Sequence, residues 1–368
     1  MARTRGPKFS IPNFSVQQLV VACAETMDWS LKAFGIPDLW AKTTGKGVRV
    51  AVLDTGCALL HPDLKNQIED AADFTGSKVG PGDTNGHGTH CCGVVAASRN
   101  EVGTVGVAPE VRLLVGKVLN DSGVGSAETI IKGINWATDH GADIISMSFG
   151  SSSSDPGIKK AIEYANSKNV LLIAAAGNEG PGPRTVGYPA RYPQVLSVAA
   201  VDPNKKVAPF SSRGPEVDIA APGVDILSTY PPKNYAKLSG TSMATPFVSA
   251  VIALLLAYDK KRGVKRIKNS VDLIKYVKDT ALDAGDFGFD NDYGWGLINP
   301  KGLILGQSAS SYDKLKRIKK ENVNFVELEE KDFASKSKDK FKKIFGGASK
   351  VIFEFEEDRK EKSGKHAK

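Results

Sequence analysis

The feature that most constrains this chain's fold is a repeated alternation of short apolar runs with helix-like stretches. The runs VRVAVLD (48–54), VRLLVGKVL (111–119), ADIISMSFG (142–150), VLLIAAAGN (170–178) and VLSVAAV (195–201) are nearly continuous in apolar character. A strand buried on both faces of a parallel sheet has this character, whereas a half-exposed strand alternates. Between the runs lie AETIIKGINWATDH and GIKKAIEYANSKN, which have helical composition. The pattern predicts an α/β fold: a doubly wound, mostly parallel sheet with helices on both faces and right-handed crossovers. In such folds function collects on the loops at the carboxyl ends of the strands, where Asp54, Gly150 and Asn178 all stand.

The pattern starts at Val48 and closes near DYGWGLINPKGLI. Three segments follow: a leader, 1–28; a main domain, 29–308; and an extension, 309–368. After Ser310 the chain carries 17 Lys and Arg against 12 Asp and Glu, so about +5 of the net +8 lies there. The main domain is close to neutral, so its charge says little about its substrate. Acidic residues interleave with lysines in the extension, which favours a solvated spacer over contact with an acidic partner or nucleic acid.

No run reaches the roughly 18 apolar residues of a membrane span. The apolar patch Leu19–Ala24 is shorter than the ~7–15 residues of a signal core. Four cysteines (Cys23, Cys57, Cys91 and Cys92) match neither a zinc ribbon nor a CxxC pair, and reduced thiols in a cytoplasmic setting are expected. Oligomerisation is left open.

Three motifs occur in order: VAVLDTG with Asp54, GHGTHCCG with His87 and SGTSMATP with Ser242. Acyl transfer by a serine needs a hydroxyl nucleophile, an imidazole to take its proton and a carboxylate to orient the imidazole. The chain supplies one candidate for each. The stretch after Ser242 is helix-compatible, and the positive end of a helix dipole favours charge developing at the nucleophile. His90 lies on the same side of a helix as His87. It is expected to be a hydrogen-bonded core histidine, since a zinc site needs at least three well-spaced ligands.

The order Asp, His, Ser, with DTG, HPDL, GHGTH, GVAP, SFG, AAGNEG, TVGYPA, APG and GTSMA, resembles the subtilisin-like serine proteases, the subtilase family, from about Trp29 to Leu305. The resemblance implies a serine endopeptidase with Ser242 as nucleophile, His87 as base and Asp54 as orienting carboxylate. Asn178 would be the side-chain oxyanion donor. A catalytically silent peptide-binding module on the same scaffold is the alternative. An α/β-hydrolase esterase, with GxSxG and the order Ser, Asp, His, does not fit.

By the same resemblance, Gly123–Gly125 and Ser148, Phe149 and Gly150 flank the substrate backbone as strands. Gly177 and Gly187 would line S1 with Glu179 at its rim, giving broad specificity with large apolar P1 residues favoured. Ala127 would leave S4 wide. A structural Ca²⁺ is implied at Asp63, Ser98, Asn100, Val102 and Thr104, with Glu25 as the N-terminal ligand. Glu216 and Asp218 match a second, weaker cation site. Cys91 matches the cysteine that the thiol-dependent subtilases carry beneath the catalytic histidine, which implies mercury sensitivity. Cys92 is expected to pack in the core.

Two features depart from the family. Phe247 stands where a histidine usually follows the GTSMA motif, so altered packing is expected. The leader is far shorter than a folding prodomain, and SIPNFS resembles the short leader of intracellular subtilisins. Ile11–Phe14 is therefore expected to lie across the cleft as an inhibitor, with its proline presenting an uncleavable bond.

Overall fold

A computed structural model describes residues 6–12, 15–20 and 24–306, with 15–20 described by backbone alone. These residues belong to one compact unit. The expectations for 309–368 and for Asn13 and Phe14 lie outside the described residues.

In chain order the elements are β1 (Lys8–Ser10), β2 (Ser15–Val20), α1 (Trp29–Ala33), α2 (Ile36–Trp40), β3 (Arg49–Asp54), β4 (Ile68–Asp73) and α3 (His87–Ala96). There follow β5 (Arg112–Lys117), β6 (Val124–Ser126), α4 (Ala127–Asp139), β7 (Ile144–Met147), α5 (Pro156–Ser167), β8 (Leu171–Ala175), β9 (Val195–Val201) and β10 (Ile219–Pro222). The chain then forms β11 (Ile226–Tyr230), β12 (Asn234–Ser239), α6 (Thr241–Lys261), α7 (Ser270–Thr280) and α8 (Pro300–Leu305).

The predicted parallel sheet is present, seven-stranded in the order β10-β9-β8-β7-β3-β5-β4, and every pairing is parallel. Its central strands are buried on both faces, so Val50–Leu53, Leu113–Val115 and Leu171–Ala175 have no solvent side that polar residues could occupy. Helices α3 and α6 pack together against one face, and α4 packs with α5 against the other. From β3 the chain builds outward through β4 and β5, then returns to build the other way from β7. The crevice at this reversal is where α/β sheets bind ligands.

Helix caps follow local chemistry. Asp155 caps α5 by accepting from Gly157 and Ile158 N–H groups, and Ser126 and Thr129 form a reciprocal capping box at α4. The sequence reading did not anticipate that α6, over its 21 residues, is long and apolar enough to cross a membrane. It is instead the core helix, with 17 of its 21 residues buried inside the protein.

A second, three-stranded antiparallel sheet has the order β11-β12-β2. Its last strand comes from the leader: Ser15 pairs with Ser239 and Val20 with Tyr235. Strand β12 runs through Gly240 directly into α6, so the leader pairs with the strand that delivers Ser242.

Candidate active site

Strand β3 ends at Asp54 and helix α3 begins at His87, both essentially inaccessible to solvent. Asp54 Oδ1 and His87 Nδ1 lie 2.7 Å apart. The Thr55 N–H also donates to Asp54 Oδ1, at 2.7 Å, and fixes the carboxylate's orientation. Two glycines let α3 come this close. Gly86 has φ +101°, and a Cβ there would strike the Tyr230 ring. At Gly88 a Cβ would meet the Gly56 carbonyl oxygen, so a larger residue would push the helix off the Asp54 loop.

Asp83 organises the start of the same helix. One oxygen accepts from the Asn85 and Gly86 N–H groups and the Thr55 hydroxyl, and the other from Thr89 N–H and Oγ1. Burial pushes this carboxyl above the usual carboxylate range, and these hydrogen bonds oppose the rise.

Ser242 is the second residue of α6. Its Oγ donates to the Ser148 carbonyl at 3.2 Å. Pro246, four residues on, has no N–H to bond the Ser242 carbonyl in the helical pattern. That carbonyl instead accepts from Ser148 Oγ at 3.0 Å and from Cys91 Sγ at 3.4 Å. Cys91 Sγ lies 3.9 Å from His87 Nδ1, so one sulfur touches the first turns of both helices. Burial pushes the Cys91 thiol well up, and nearby Asp54 adds to the rise, so it stays a thiol able to donate.

Asn178 stands at the carboxyl end of β8. Its Oδ1 accepts from Thr241 N–H at 3.0 Å and Thr241 Oγ1 at 2.9 Å. This fixes the amide plane beside Gly240, with Nδ2 on the side where a Gly240 Cβ would stand. A hydroxyl at a helix N-terminus, a carboxylate-held imidazole and an anchored amide together form the set that serine acyl transfer requires.

His90 does not join this group. Its Nε2 donates to the carbonyls of Ile226 and Ala236, at 2.9 and 3.1 Å, and burial pushes its pKa down to about 3. It is a neutral core histidine that ties α3 to β11 and β12. Cys92 and Phe247 are buried in the core as expected, the Phe247 ring edge-on to Phe34 at 5.6 Å.

The leader enters the cleft as a strand. Lys8–Ser10 pair antiparallel with Val124–Ser126, and Ser10 pairs with Gly150 on the other side. Ile11 N–H donates to the Gly123 carbonyl at 3.1 Å, and the Ile11 side chain covers Gly123. Gly150 lies two residues past Ser148, the residue whose carbonyl holds Ser242 Oγ. Gly123, Gly125, Ser148, Phe149 and Gly150 therefore border one slot. Beyond it, Gly187 N–H bonds the Ala176 carbonyl, and the Glu179 carboxylate accepts from Ser212 Oγ at 2.6 Å next to Gly177.

The expected cation ligands converge on Asp63, which is wholly buried. Asn100 Nδ2 and Thr104 N–H donate to its two oxygens, and its backbone carbonyl accepts from Ser98. Glu25 Oε2 accepts from Asn100 and Glu101 N–H groups, while Val102 N–H turns back to Asn100 Oδ1. This set of carboxylates, amide oxygen and loop carbonyls is one that Ca²⁺ accepts. At the second set, Glu216 Oε1 accepts from Arg191 at 3.2 Å and Asp218 Oδ2 from Ser197 N–H.

The sequence reading missed Asp83 and also Lys117. A lysine inside the apolar run VRLLVGKVL was the available signal, since a charged residue in a doubly buried strand needs specific partners.

The subtilase family model matches residues 45–296. The major intracellular serine protease of Bacillus subtilis (strain 168) is 44% identical over 259 residues, which cover 68% of this chain and 81% of that protein. Subtilisin DY of Bacillus licheniformis is 43% identical over 257 residues, covering 69% and 90% respectively. An intracellular serine protease of Paenibacillus polymyxa is 49% identical over 226 residues, covering 60% and 69%.

Proposed function

This chain belongs to the subtilase family and is a subtilisin-like serine endopeptidase, and on that premise we propose that Ser242, His87 and Asp54 carry its chemistry. The observation that carries this reading is the 2.7 Å bond between Asp54 and His87, joined through Cys91 to Ser242 in the first turn of α6. Ser242 Oγ attacks the scissile carbonyl while His87 Nε2 takes its proton, and Asp54 steadies the resulting imidazolium. The oxyanion is met by the Ser242 N–H and Asn178 Nδ2. His87 then protonates the leaving amine, and water attacks the acyl-enzyme by the same route reversed.

Substrates are peptides in extended form, held as a strand between Gly123–Gly125 and Ser148–Gly150. The glycines at 177 and 187 favour large apolar P1 residues. The leader is a self-inhibitor in this slot. Proline has no N–H to offer the Ser148 carbonyl, and Ser242 Oγ donates there instead, which turns the nucleophile away from attack. Asp63, Asn100, Glu25 and the carbonyls of Ser98, Val102 and Thr104 would hold a structural Ca²⁺, whose charge would fix the 98–104 loop to the N-terminal segment. The cytoplasm is the proposed location, in keeping with two relatives named as intracellular and with the unpaired buried Cys57, Cys91 and Cys92.

The test is intact mass against time for the wild type and Ser242→Ala. Loss of an N-terminal piece in the wild type alone is expected. Two unchanging masses with no turnover of an added peptide would overturn the assignment of Ser242.

A further inference from the structure

Lys117 closes β5 as the in-register neighbour of Asp54 on β3, and its side chain is wholly buried. An ammonium has three N–H donors, and all three are used on three different segments. Nζ donates to the Thr55 carbonyl at 2.6 Å, to the Gly82 carbonyl at 3.0 Å and to Asp121 Oδ1 at 2.8 Å. Each segment has a separate task. Thr55 holds the Asp54 carboxylate through its N–H and supports the start of α3 by accepting from Gly88 N–H. Gly82 immediately precedes Asp83, which grips the first turn of the helix bearing His87. Asp121 sits in the tight loop that launches β6; there Gly123 N–H bonds the Asn120 carbonyl, and Asn85 Nδ2 reaches the Asp121 carbonyl.

From this geometry we infer that Lys117 is a positioning residue, setting the peptide-binding strand Val124–Ser126 in register with the Asp54–His87 pair. The inference rests on the reading of Ser242, His87 and Asp54 given above. A buried cation bonded to two carbonyls and one carboxylate is poorly replaced, because removing it takes the Nζ donor from the Thr55 and Gly82 carbonyls beside the site. The fourth partner in this arrangement is Ser77, whose Oγ donates to the other Asp121 oxygen at 3.0 Å and limits the carboxylate's rotation. Asp121 is the part of the linkage that can be changed with least disturbance, since its side chain is about half exposed (46%).

The test measures kcat and KM of the full-length chain on two substrates, once progress curves reach a steady rate. One is a short ester that reaches only S1. The other is a tetrapeptide amide that also lies on Val124–Ser126. Asp121→Ala is expected to raise KM for the tetrapeptide about three- to tenfold while ester kinetics stay within twofold. Asp121→Asn, which keeps an oxygen for Nζ, is expected to restore most of that loss. Lys117→Met is expected to lower kcat on both substrates at least tenfold. If that variant does not fold, the two Asp121 variants decide alone. For Asp121→Ala, equal losses on both substrates, no loss on either, or no rescue by asparagine would overturn the inference. A wild type that turns over neither substrate would instead sink the reading of Ser242, which the Ser242→Ala control separates from this one.

Discussion

Ser10 and Gly150 exchange both of their backbone hydrogen bonds, at 3.0 and 2.9 Å, so the leader is an added strand and not a loop resting on the cleft. Strand addition is the way extended peptides are recognised at sheet edges. Deleting residues 1–20 should therefore raise the initial rate on a peptide substrate at least tenfold and abolish any lag. Superimposable progress curves for the two forms would show that the leader does not occupy the working slot.

The proposed roles of Ser242 and Asn178 predict losses of different kinds. Ser242→Ala should leave only a trace of turnover. Asn178→Ala should lower kcat by about 10²–10³ with KM little changed, the cost of removing one such donor in subtilisin, the case on which that figure rests. A kcat within tenfold of the wild type would remove Asn178 from the oxyanion role.

Cys91 is a donor to the Ser242 carbonyl in this structure and not a nucleophile. Cys91→Ser keeps a donor of similar reach and should retain kcat within about tenfold, yet lose sensitivity to mercurials. Cys91→Ala leaves that carbonyl with Ser148 alone. It should lower stability by about 1–3 kcal/mol, measurable as a fall in Tm. Mercurial inhibition that persists in Cys91→Ser would point to another thiol.

The buried, neutral His90 makes stability depend on pH. Its folded pKa of about 3 lies below the unfolded value of 6.5, so the unfolded chain binds the extra proton between these limits. The contribution is complete above pH 6.5 and is lost as pH falls toward 3. At pH 5 the loss is about 2 kcal/mol relative to pH 8. Denaturant unfolding at the two pH values should give a smaller difference for His90→Asn than for the wild type. Equal slopes would mean that other groups set the acid limit.

Removing Ca²⁺ with a chelator should lower Tm by several degrees and speed proteolysis near the 98–104 loop, and Asp63→Asn should make the protein indifferent to chelation. A Tm that never responds to the chelator would dismiss the site.

Much of this was legible in the sequence because it lay in contiguous residues. The doubly buried strands showed as apolar runs, and Asp54, His87, Asn178 and Ser242 each stood in a recognisable motif at the end of a strand or start of a helix. Other relationships depend on segments brought together only by the fold. The direction of the His90 ring follows from β11 and β12, more than 130 residues away, since their carbonyls offer the nearest acceptors. Lys117 went unremarked inside a strand, because its three partners come from separate loops. The pairing of Ser15–Val20 with β12 had no local sign, as an edge strand takes its partner from whatever edge the core leaves open.

The leader is tied by its own chain to the slot that it fills. An occupant on so short a tether competes at an effective concentration on the order of millimolar, whatever the amount of enzyme present. In the proposed self-inhibition, dilution therefore cannot release it, and a substrate must outbid a neighbour that never diffuses away. Once the tether is cut, the same segment becomes an ordinary dilute peptide, and the change runs in one direction only.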